Sequence, residues 1–366
     1  MKISLAVLGR QFGINKAEYE AAVLRVLSSG WYILGPEVEA FEQEFARYVG
    51  RKYCVGMNSG LDALTLSVKA LGITHGDEVI VPANTYIATV LSITENGATP
   101  VFVEPDIYYG IDASQIKRAI TDKTKAIMAV HLYGQSVEMD TVSEIAQSYN
   151  LQLIEDCAQS HGAKYRGIMT GAFGEAGCFS FYPTKNLGAF GDSGAVVTDD
   201  EDLYKKLKML RNYGSQVKYH NQIEGFNSRL DEVQAALLRV KLKHLGELNE
   251  ERVRIADRYN TEIKNAFIDL PQLRCQDTNH VYHQYVVRIK NRESFQNYLA
   301  KNGIETVIHY PIPPHLAECY KYLGYKKGDF PITEQYASEI LSLPMFNGMK
   351  DDEIDYVIKI CNEYNG

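Results

Sequence analysis

One lysine, Lys185, lies in the stretch Gly177-Cys-Phe-Ser-Phe-Tyr-Pro-Thr-Lys185-Asn-Leu-Gly-Ala-Phe-Gly-Asp-Ser-Gly194, between a short apolar run and a glycine-rich loop. The apolar run is typical of a buried strand, so the lysine can leave water without entering a closed core. Desolvation lowers the pKa of an amine, and a neutral amine attacks carbonyl carbons. The stretch indicates a Schiff-base lysine, although a loop lysine taken alone is more often solvated.

A carboxylate ends another predicted buried strand, Leu151-Gln-Leu-Ile-Glu155-Asp156. In α/β proteins, ligands bind in the crevice at the carboxyl ends of the strands. An acid at that place can keep the ring nitrogen of pyridoxal phosphate (PLP) protonated, so that the ring accepts electrons. Asp156 therefore predicts a partner for a PLP ring, and a helix N-cap after the strand is the open alternative.

A third segment, Gly56-Met-Asn-Ser59-Gly60-Leu61-Asp62, is a turn that enters an amphipathic helix predicted over 62–69. Free N–H groups at a helix start bind phosphate, and the Ser59 hydroxyl can add a further hydrogen bond. A Ser-Gly pair before a helix is also an ordinary capping signal. The segment predicts a phosphate site mainly because it precedes the strand and the lysine in the order that a PLP enzyme requires.

Strands and helices alternate along the chain, which predicts an α/β fold with a mostly parallel sheet covered on both faces. Predicted strands are 78–82, 100–104, 126–131, 151–155, 177–181 and 194–198, and predicted helices include 18–28, 38–49, 87–96 and 140–149. A single long helix over 231–259 is expected to lead into a smaller lobe with a strand at 282–289 and a helix at 292–302. The predicted domains are a large PLP-binding domain, 1–245, and a small C-terminal α+β domain, 246–366.

Composition excludes several classes of protein. The 366 residues are 45% hydrophobic and 23% charged, with a net charge of −8 and no basic block, which argues against nucleic-acid binding. The chain has no apolar run long enough for a membrane span, and its first residues do not resemble a signal peptide, so we expect a cytoplasmic protein. The six cysteines are scattered, so neither a metal site nor a disulfide framework is expected.

Seven motifs occur in the order found in one known family. They are Gly30-Trp-Tyr-Ile-Leu-Gly-Pro-Glu-Val, Asn58-Ser-Gly-Leu-Asp-Ala-Leu, Pro82-Ala-Asn-Thr-Tyr-Ile-Ala-Thr, Glu155-Asp-Cys-Ala-Gln-Ser-His-Gly-Ala, Ser180-Phe-Tyr-Pro-Thr-Lys-Asn-Leu-Gly, Arg211-Asn-Tyr-Gly and Gly225-Phe-Asn-Ser-Arg-Leu-Asp-Glu-Val-Gln-Ala-Ala. The chain resembles the DegT/DnrJ/EryC1 family of PLP-dependent nucleotide-sugar aminotransferases. This resemblance implies the aspartate-aminotransferase fold (PLP fold type I).

The resemblance implies catalytic roles for Lys185 and Asp156 and cofactor-binding roles for Gln159 and Tyr86. Lys185 would hold PLP covalently and, once freed by the amino donor, would move a proton between the substrate carbon and the cofactor. Asp156 would pair with the ring nitrogen, and Gln159 would hydrogen-bond the ring hydroxyl. Tyr86 would stack on the ring, although a half-buried core aromatic is a common alternative for a tyrosine.

The resemblance also implies a phosphate site formed by Ser59, Gly60, Leu61 and Ser180. Asn227 would reach the phosphate of the other subunit's cofactor, so a homodimer with shared active sites is expected. The alternative role for Asn227 and Arg229 is to cap a loop.

Candidate substrate-binding residues are Tyr32, Tyr182, Tyr219, His220, His309, Tyr310 and His315. The chain has 25 tyrosines, so most of them must be structural. Two prolines precede His315 and could present it rigidly, and an exposed loop histidine is the alternative.

Two motifs most resemble one subgroup, the dTDP-3-keto-6-deoxyhexose 3-aminotransferases. These are Trp31-Tyr-Ile-Leu-Gly and His309-Tyr-Pro-Ile-Pro-Pro-His. The implied reaction converts a dTDP-3-keto-6-deoxyhexose to the dTDP-3-amino-3,6-dideoxyhexose, with L-glutamate as the amino donor. Thr184 stands where that subgroup has glycine, and its side chain could contact the sugar.

Three alternative functions compete with this one. A 4-keto nucleotide-sugar aminotransferase shares the same motifs. A non-catalytic PLP- or sugar-nucleotide-binding regulator has no need of the set Lys185, Asp156 and Gln159. A nicotinamide-dependent dehydrogenase requires a Gly-x-Gly-x-x-Gly turn, and Gly56 and Gly60 do not form one.

Overall fold

The computed structural model describes all residues from 1 to 366. The α-helices are α1 (Leu8–Ile14), α2 (Lys16–Ser29), α3 (Pro36–Val49), α4 (Gly60–Ala70), α5 (Ile87–Thr94), α6 (Ala113–Ala119), α7 (Met139–Ser148), α8 (Glu201–Leu210), α9 (Glu232–Lys243), α10 (Leu245–Glu262), α11 (Arg292–Lys301), α12 (Pro331–Glu339) and α13 (Asp351–Glu363). The strands are β1 (Tyr53–Met57), β2 (Glu78–Pro82), β3 (Thr99–Val103), β4 (Thr124–Val130), β5 (Gln152–Asp156), β6 (Lys164–Tyr165), β7 (Ile168–Met169), β8 (Ala176–Ser180), β9 (Gly194–Thr198), β10 (Ser215–Val217), β11 (His220–Asn221), β12 (Tyr285–Arg288) and β13 (Ile340–Leu343). Short 3₁₀ turns span Leu132–Gly134, Pro314–Leu316 and Glu318–Leu323.

Seven strands form the main sheet in the order β1-β9-β8-β5-β4-β2-β3. Five neighbouring strands, β3, β2, β4, β5 and β8, run parallel, and β9 is antiparallel to both of its neighbours, β8 and β1. This sheet confirms the predicted α/β class. The predicted strands at 78–82 and 194–198 match β2 and β9, whereas β1, next to the predicted phosphate turn, was missed.

Alternate residues of the strands pack on opposite faces, because side chains in a strand alternate. Val79 and Val81 of β2 contribute to a cluster with α4, α5 and α8. Ile80 lies in a different cluster, with α6 and α7. A third cluster joins α3 and α9 to β8 and β9. Both faces are therefore covered, which explains why the strands are almost uniformly apolar.

The C-terminal lobe is built around the antiparallel pair β12–β13. Its cluster of 24 buried residues combines residues from α10, α11 and α13 with Ile3 from the N terminus. The predicted strand at 282–289 and helix at 292–302 correspond to β12 and α11. The domain boundary near residue 245 stays a prediction. Ile3 lies before that boundary in the chain but packs with residues of the C-terminal lobe. None of the helices combines the length and apolar character needed to cross a bilayer.

The prediction of one helix over 231–259 is wrong. The helix stops after Lys243, and a second helix starts at Leu245. Residues of α9 pack into the cluster of the large lobe, whereas Ile255 and Tyr259 of α10 pack into the C-terminal cluster. The hydrophobic spacing continues through His244, so the sequence pattern does not reveal this change of partner.

Candidate active site

A tight turn presents Lys185 just beyond β8. The Lys185 N–H donates to the Tyr182 carbonyl at 2.8 Å, which closes a four-residue turn with Pro183 at its second position. Proline favours that position because its φ is already fixed. The turn begins where the β8–β9 pairing ends, at the hydrogen bond from Phe181 N–H to the Ser193 carbonyl. The lysine is thus anchored to the centre of the main sheet.

The amine of Lys185 lies among buried groups. Its Nζ is 3.4 Å from Nε2 of His283. Desolvation by burial lowers the pKa of Lys185 to about 8, and the negative charge of Asp156 opposes this shift. A large fraction of the amine is therefore neutral near pH 8, the state that a nucleophilic lysine requires.

Asp156 is the last residue of β5, and its carboxylate is buried. One oxygen accepts a hydrogen bond from the Thr89 hydroxyl at 2.8 Å, and the other accepts from the Ala158 N–H at 3.1 Å. Burial raises the pKa of Asp156, and the Thr89 and Ala158 hydrogen bonds oppose this rise. No helix follows the strand, so the N-cap interpretation is wrong. Each carboxylate oxygen retains a lone pair for a further donor.

A hydrogen-bond network joins Gln159 to the aromatic wall of the site. The Gln159 side-chain oxygen accepts from the Tyr133 N–H at 2.7 Å, and its amide donates to the Tyr310 hydroxyl at 3.1 Å. The rings of Tyr310 and Tyr86 lie 4.8 Å apart at an angle of 35°. The Tyr133 hydroxyl donates to the carbonyl of His309. Four predicted site residues, Tyr86, Gln159, His309 and Tyr310, are therefore brought together.

The start of α4 forms a cradle suited to an anion. Ser59 is the N-cap, because its hydroxyl oxygen accepts from the Asp62 N–H at 3.0 Å, so the capping interpretation is confirmed. The N–H groups of Gly60 and Leu61 belong to the first turn, where a helix offers no acceptor. A Cβ on Gly60 would lie 2.4 Å from the Cβ of Ser180. Glycine at this position therefore lets the helix start approach Ser180.

Gly60→Ala is expected to weaken the binding of pyridoxamine phosphate (PMP) to the apoprotein by about tenfold, because overpacking of this kind costs about 1–3 kcal/mol. The added methyl group must displace either Ser180 or the start of α4. Calorimetric titration with PMP measures this effect without involving Lys185 chemistry. Gly246→Ala is the matched control, since nothing lies within 4 Å of its added Cβ. Equal affinities for the two variants would contradict the cradle.

Glu155 precedes Asp156 and points to the opposite face of β5. Its two oxygens accept from His131 at 3.0 Å and from the N–H groups of Gly171, Phe173 and Gly174 at 2.7–2.9 Å. These four contacts use all four lone pairs, so the arrangement is a structural anchor that fixes the carboxyl end of the strand. The sequence showed two adjacent acids but not which of them faces the ligand crevice.

The remaining predicted residues lie in different surroundings. Tyr32, Tyr182, Tyr219, His220 and Asn227 are exposed, and Tyr219 on the β10–β11 hairpin is 85% exposed. His315 is only 1% exposed; its Nε2 contacts Glu334 at 3.2 Å, and its ring packs on Phe330. The interpretation of His315 as an exposed loop residue is wrong, and in this conformation its ring has no face open to a substrate.

Sequence reasoning missed three residues that shape the site. Thr89, Tyr133 and His283 contact Asp156, Gln159 and Lys185, respectively. Thr89 lies three residues after Tyr86, about one helical turn, so its place beside a predicted site residue could have been read from the sequence. Tyr133 and His283 reach the site from distant segments of the chain, so no local pattern identifies them.

Known proteins with similar sequences identify the family to which this site belongs. The profile of the DegT/DnrJ/EryC1/StrS aminotransferase family matches residues 14–362. The dTDP-3-amino-3,6-dideoxy-alpha-D-galactopyranose transaminase of Aneurinibacillus thermoaerophilus is 55% identical over 348 residues, 95% of each chain. The dTDP-3-amino-3,4,6-trideoxy-alpha-D-glucose transaminase of Streptomyces venezuelae is 48% identical and covers 95% of this chain and 92% of the relative.

The fold is also shared with a solved structure. The crystal structure of DesV from S. venezuelae, in complex with a ketimine intermediate, superposes with a TM-score of 0.97 at 45% identity, covering 99% of this chain and 98% of that one. The family profile, the relatives and the solved structure all point to the same family over nearly the whole chain. The motifs that surround Lys185 and Asp156 point to that family as well. The chain belongs to the DegT/DnrJ/EryC1/StrS aminotransferase family.

Proposed function

We propose that the protein is a PLP-dependent aminotransferase that converts a dTDP-3-keto-6-deoxyhexose to the dTDP-3-amino-3,6-dideoxyhexose, with L-glutamate as the amino donor. The observation that carries the proposal is the buried amine of Lys185, whose pKa of about 8 is set by desolvation and by the nearby carboxylate of Asp156. The choice of a 3-keto dTDP-sugar is supported by the two relatives described above, both named for dTDP-3-amino sugars.

The residues present fit PLP at each end of the cofactor. The start of α4, with the N–H groups of Gly60 and Leu61 and the nearby Ser180, would hold the phosphate. Asp156 has free lone pairs and would hold the protonated ring nitrogen. When bound, PLP supplies an electron sink that acidifies the carbon bearing the transferred nitrogen.

Lys185 is suited to carry the proton. A general acid–base works best with a pKa near the operating pH, since it must take up and release a proton in one cycle. Burial brings the Lys185 pKa down to about 8, within reach of neutral pH. The lysine can therefore take a proton from the donor carbon and place it on the bound cofactor, and in the second half of the cycle it can move a proton from the cofactor to the sugar carbon.

The substrate side of the site is formed by aromatic and polar groups around this lysine. Tyr86 and Tyr310 form one wall, and His309 lies beside them. Tyr182 and Thr184, in the turn that carries Lys185, have exposed side chains. We assign Tyr86 to the cofactor ring and Tyr182, Thr184, His309 and Tyr310 to the sugar. We assign Tyr32 and Tyr219 to the nucleotide moiety.

A homodimer with shared sites explains an otherwise exposed apolar surface. Trp31, Tyr32, Ile33, Tyr213 and Phe226 are all at least 40% exposed. Their segments are neighbours, because Ile33 pairs with Asp231 and Asn212 pairs with Asn227. Exposed apolar surface rimmed by polar groups marks an interaction site. Asn227, exposed within this surface, would then reach the partner's phosphate cradle.

Mixing two inactive variants tests the shared site. Lys185→Ala lacks its own lysine, and Asn227→Lys carries a bulky cation in place of the amide that would reach the partner's phosphate. In random heterodimers one of the two sites is intact, so activity should return to about a quarter of the wild-type value. Each variant is measured alone and after joint unfolding and refolding. If joint refolding restores no activity, or if Asn227→Lys alone is fully active, the sites are not shared through Asn227.

The reaction is tested with purified holoenzyme, L-glutamate and a panel of 3-keto and 4-keto dTDP-sugars. Amino-sugar formation from the 3-keto compounds alone supports the proposal. Turnover of the 4-keto compounds alone would favour the second candidate, for which the exposed Thr184 beside the lysine is the relevant observation.

All six cysteines are unpaired, and four of them are buried, which fits the reducing cytoplasm in which we place the enzyme.

A further inference from the structure

The ring of His283 has a single polar partner, the amine of Lys185. His283 is 4% exposed, and its Nε2 lies 3.4 Å from Nζ of the lysine. Its Nδ1 is buried without any hydrogen-bond partner. Buried polar groups are normally paired, and an apolar side chain of similar shape would avoid this cost. The unpaired nitrogen shows that His283 is poorly explained by packing alone.

The backbone of His283 is held from several sides. Arg252 on α10 donates to the carbonyls of Tyr282 and His283, both at 2.8 Å, and to the carbonyl of Met345 at 3.2 Å. Gly134 approaches so closely that a Cβ there would lie 2.8 Å from the His283 nitrogen. These contacts hold the backbone of His283 between α10 and the turn that follows β4, and its ring reaches the lysine amine from this fixed backbone.

We propose that His283 is a positioning residue for Lys185: a neutral imidazole whose Nε2 accepts a hydrogen bond from the lysine amine whenever that amine is not bonded to cofactor. The inference rests on the proposed function only in taking Lys185 as the cofactor lysine. Hydrogen bonding to the ammonium form stabilises it, which sets the pH at which the amine becomes nucleophilic. The same hydrogen bond holds the neutral amine in one orientation, ready for attack.

The imidazole stays neutral at working pH. Burial lowers the pKa of His283 well below its usual value, and the positive charges of Lys185 and Arg252 lower it further. His283 is therefore an acceptor and does not carry the proton itself, so Lys185 remains the proton carrier.

Other charged and titratable groups around the pair act equally in every variant of His283. Asp156 on β5 faces the lysine, and Arg252 on α10 faces the histidine. Burial lowers the pKa of His161 to about 3 and that of His309 to about 4, so both rings are neutral above pH 5. Burial lowers the pKa of Lys241 on α9 to about 7, and this residue is unchanged in the variants compared.

Two amide substitutions separate the hydrogen bond from packing. The amide of Gln reaches the position of the histidine Nε2, whereas the amide of Asn reaches only that of Nδ1. The experiment measures the rate at which PLP attaches to Lys185 of the apoprotein, followed by absorbance, as a function of pH. The affinity of the apoprotein for PMP, which forms no bond to Lys185, is measured alongside.

For the wild type, the attachment rate should rise with pH and level off above about pH 8, because only the neutral amine attacks. His283→Asn removes the acceptor, so the midpoint should fall by about one pH unit and the high-pH rate should fall about tenfold. His283→Gln should restore both values to within about 0.3 pH units and twofold. PMP affinity should stay within about twofold in all three proteins.

Three results would overturn the inference. One is an unchanged midpoint and plateau in His283→Asn, and another is a His283→Gln variant that behaves like His283→Asn. The third is a parallel loss of PMP affinity in His283→Asn, which would assign the residue a structural role. If the wild type attaches no PLP at all, the proposed function fails instead, so the two claims are separable.

Discussion

Lys185→Ala is expected to abolish transamination, with a loss of at least about 10⁴-fold in kcat/KM, because both nucleophilic and acid–base catalysis are removed. The substitution removes the buried amine but leaves the turn intact, because the hydrogen bond from the backbone N–H of residue 185 to the Tyr182 carbonyl remains. The phosphate cradle at Gly60 and the carboxylate of Asp156 also remain, so PMP should bind with nearly unchanged affinity. Steady-state kinetics and a PMP titration measure the two effects separately.

Lys205→Ala is the matched control for this variant. Lys205 lies on α8, half-exposed, and its charge pairs with Glu201 at 2.7 Å. Exposed pairs of this kind contribute little to stability, and Lys205 lies on α8, outside the residues placed in the site, so the control should be fully active. If Lys185→Ala retained substantial activity, the mechanism would be wrong.

Asp156→Asn should lower kcat by about 10²–10³-fold, the range seen when one preorganised electrostatic partner is removed. The amide keeps the shape of the carboxylate, and its oxygen can still accept from the Ala158 N–H. The lost feature is the negative charge that would hold a proton on the ring nitrogen. Because that charge also favours the ammonium form of Lys185, the lysine pKa should fall below about 8 in this variant.

Thr89→Val distinguishes the effect of the Asp156 charge from the effect of the hydrogen bond that Thr89 donates to it. It deletes the 2.8 Å donor to Asp156 but leaves the carboxylate in position. The loss of one such hydrogen bond should reduce kcat by no more than about tenfold. If Thr89→Val were as damaging as Asp156→Asn, the contribution of Asp156 would be positional, and the assignment of its charge to the ring nitrogen would fail.

The elements around Lys185 and Asp156 could be predicted because their signals are local. Each residue follows a short apolar strand, and the carboxyl ends of parallel strands meet at one edge of a sheet. The Ser59 cap and the strands β2 and β9 follow from nearby residues in the same way. Motif resemblance added Gln159 and Tyr86 to the predicted site, and the structure brings both of them together with Tyr310.

What the sequence did not reveal depends on long-range contacts. The carboxylate of Glu232 accepts from the N–H groups of Gly35, Glu37 and Val38 and so caps α3 from the start of α9. The helix also breaks at His244, and beyond it the packing partners change, since Ile255 and Tyr259 of α10 belong to the C-terminal cluster. Contacts of this kind join segments that are far apart in the chain, so a local pattern carries no trace of them.

The most direct test of the central claim is the absorbance spectrum of the purified, PLP-loaded protein before and after L-glutamate is added. The account predicts a band from lysine-bound cofactor that glutamate converts to the PMP form, while Lys185→Ala shows neither the initial band nor the conversion. A band that glutamate leaves unchanged would contradict glutamate as the donor and favour a non-catalytic binder. The absence of any band after PLP is supplied would contradict the cofactor assignment itself.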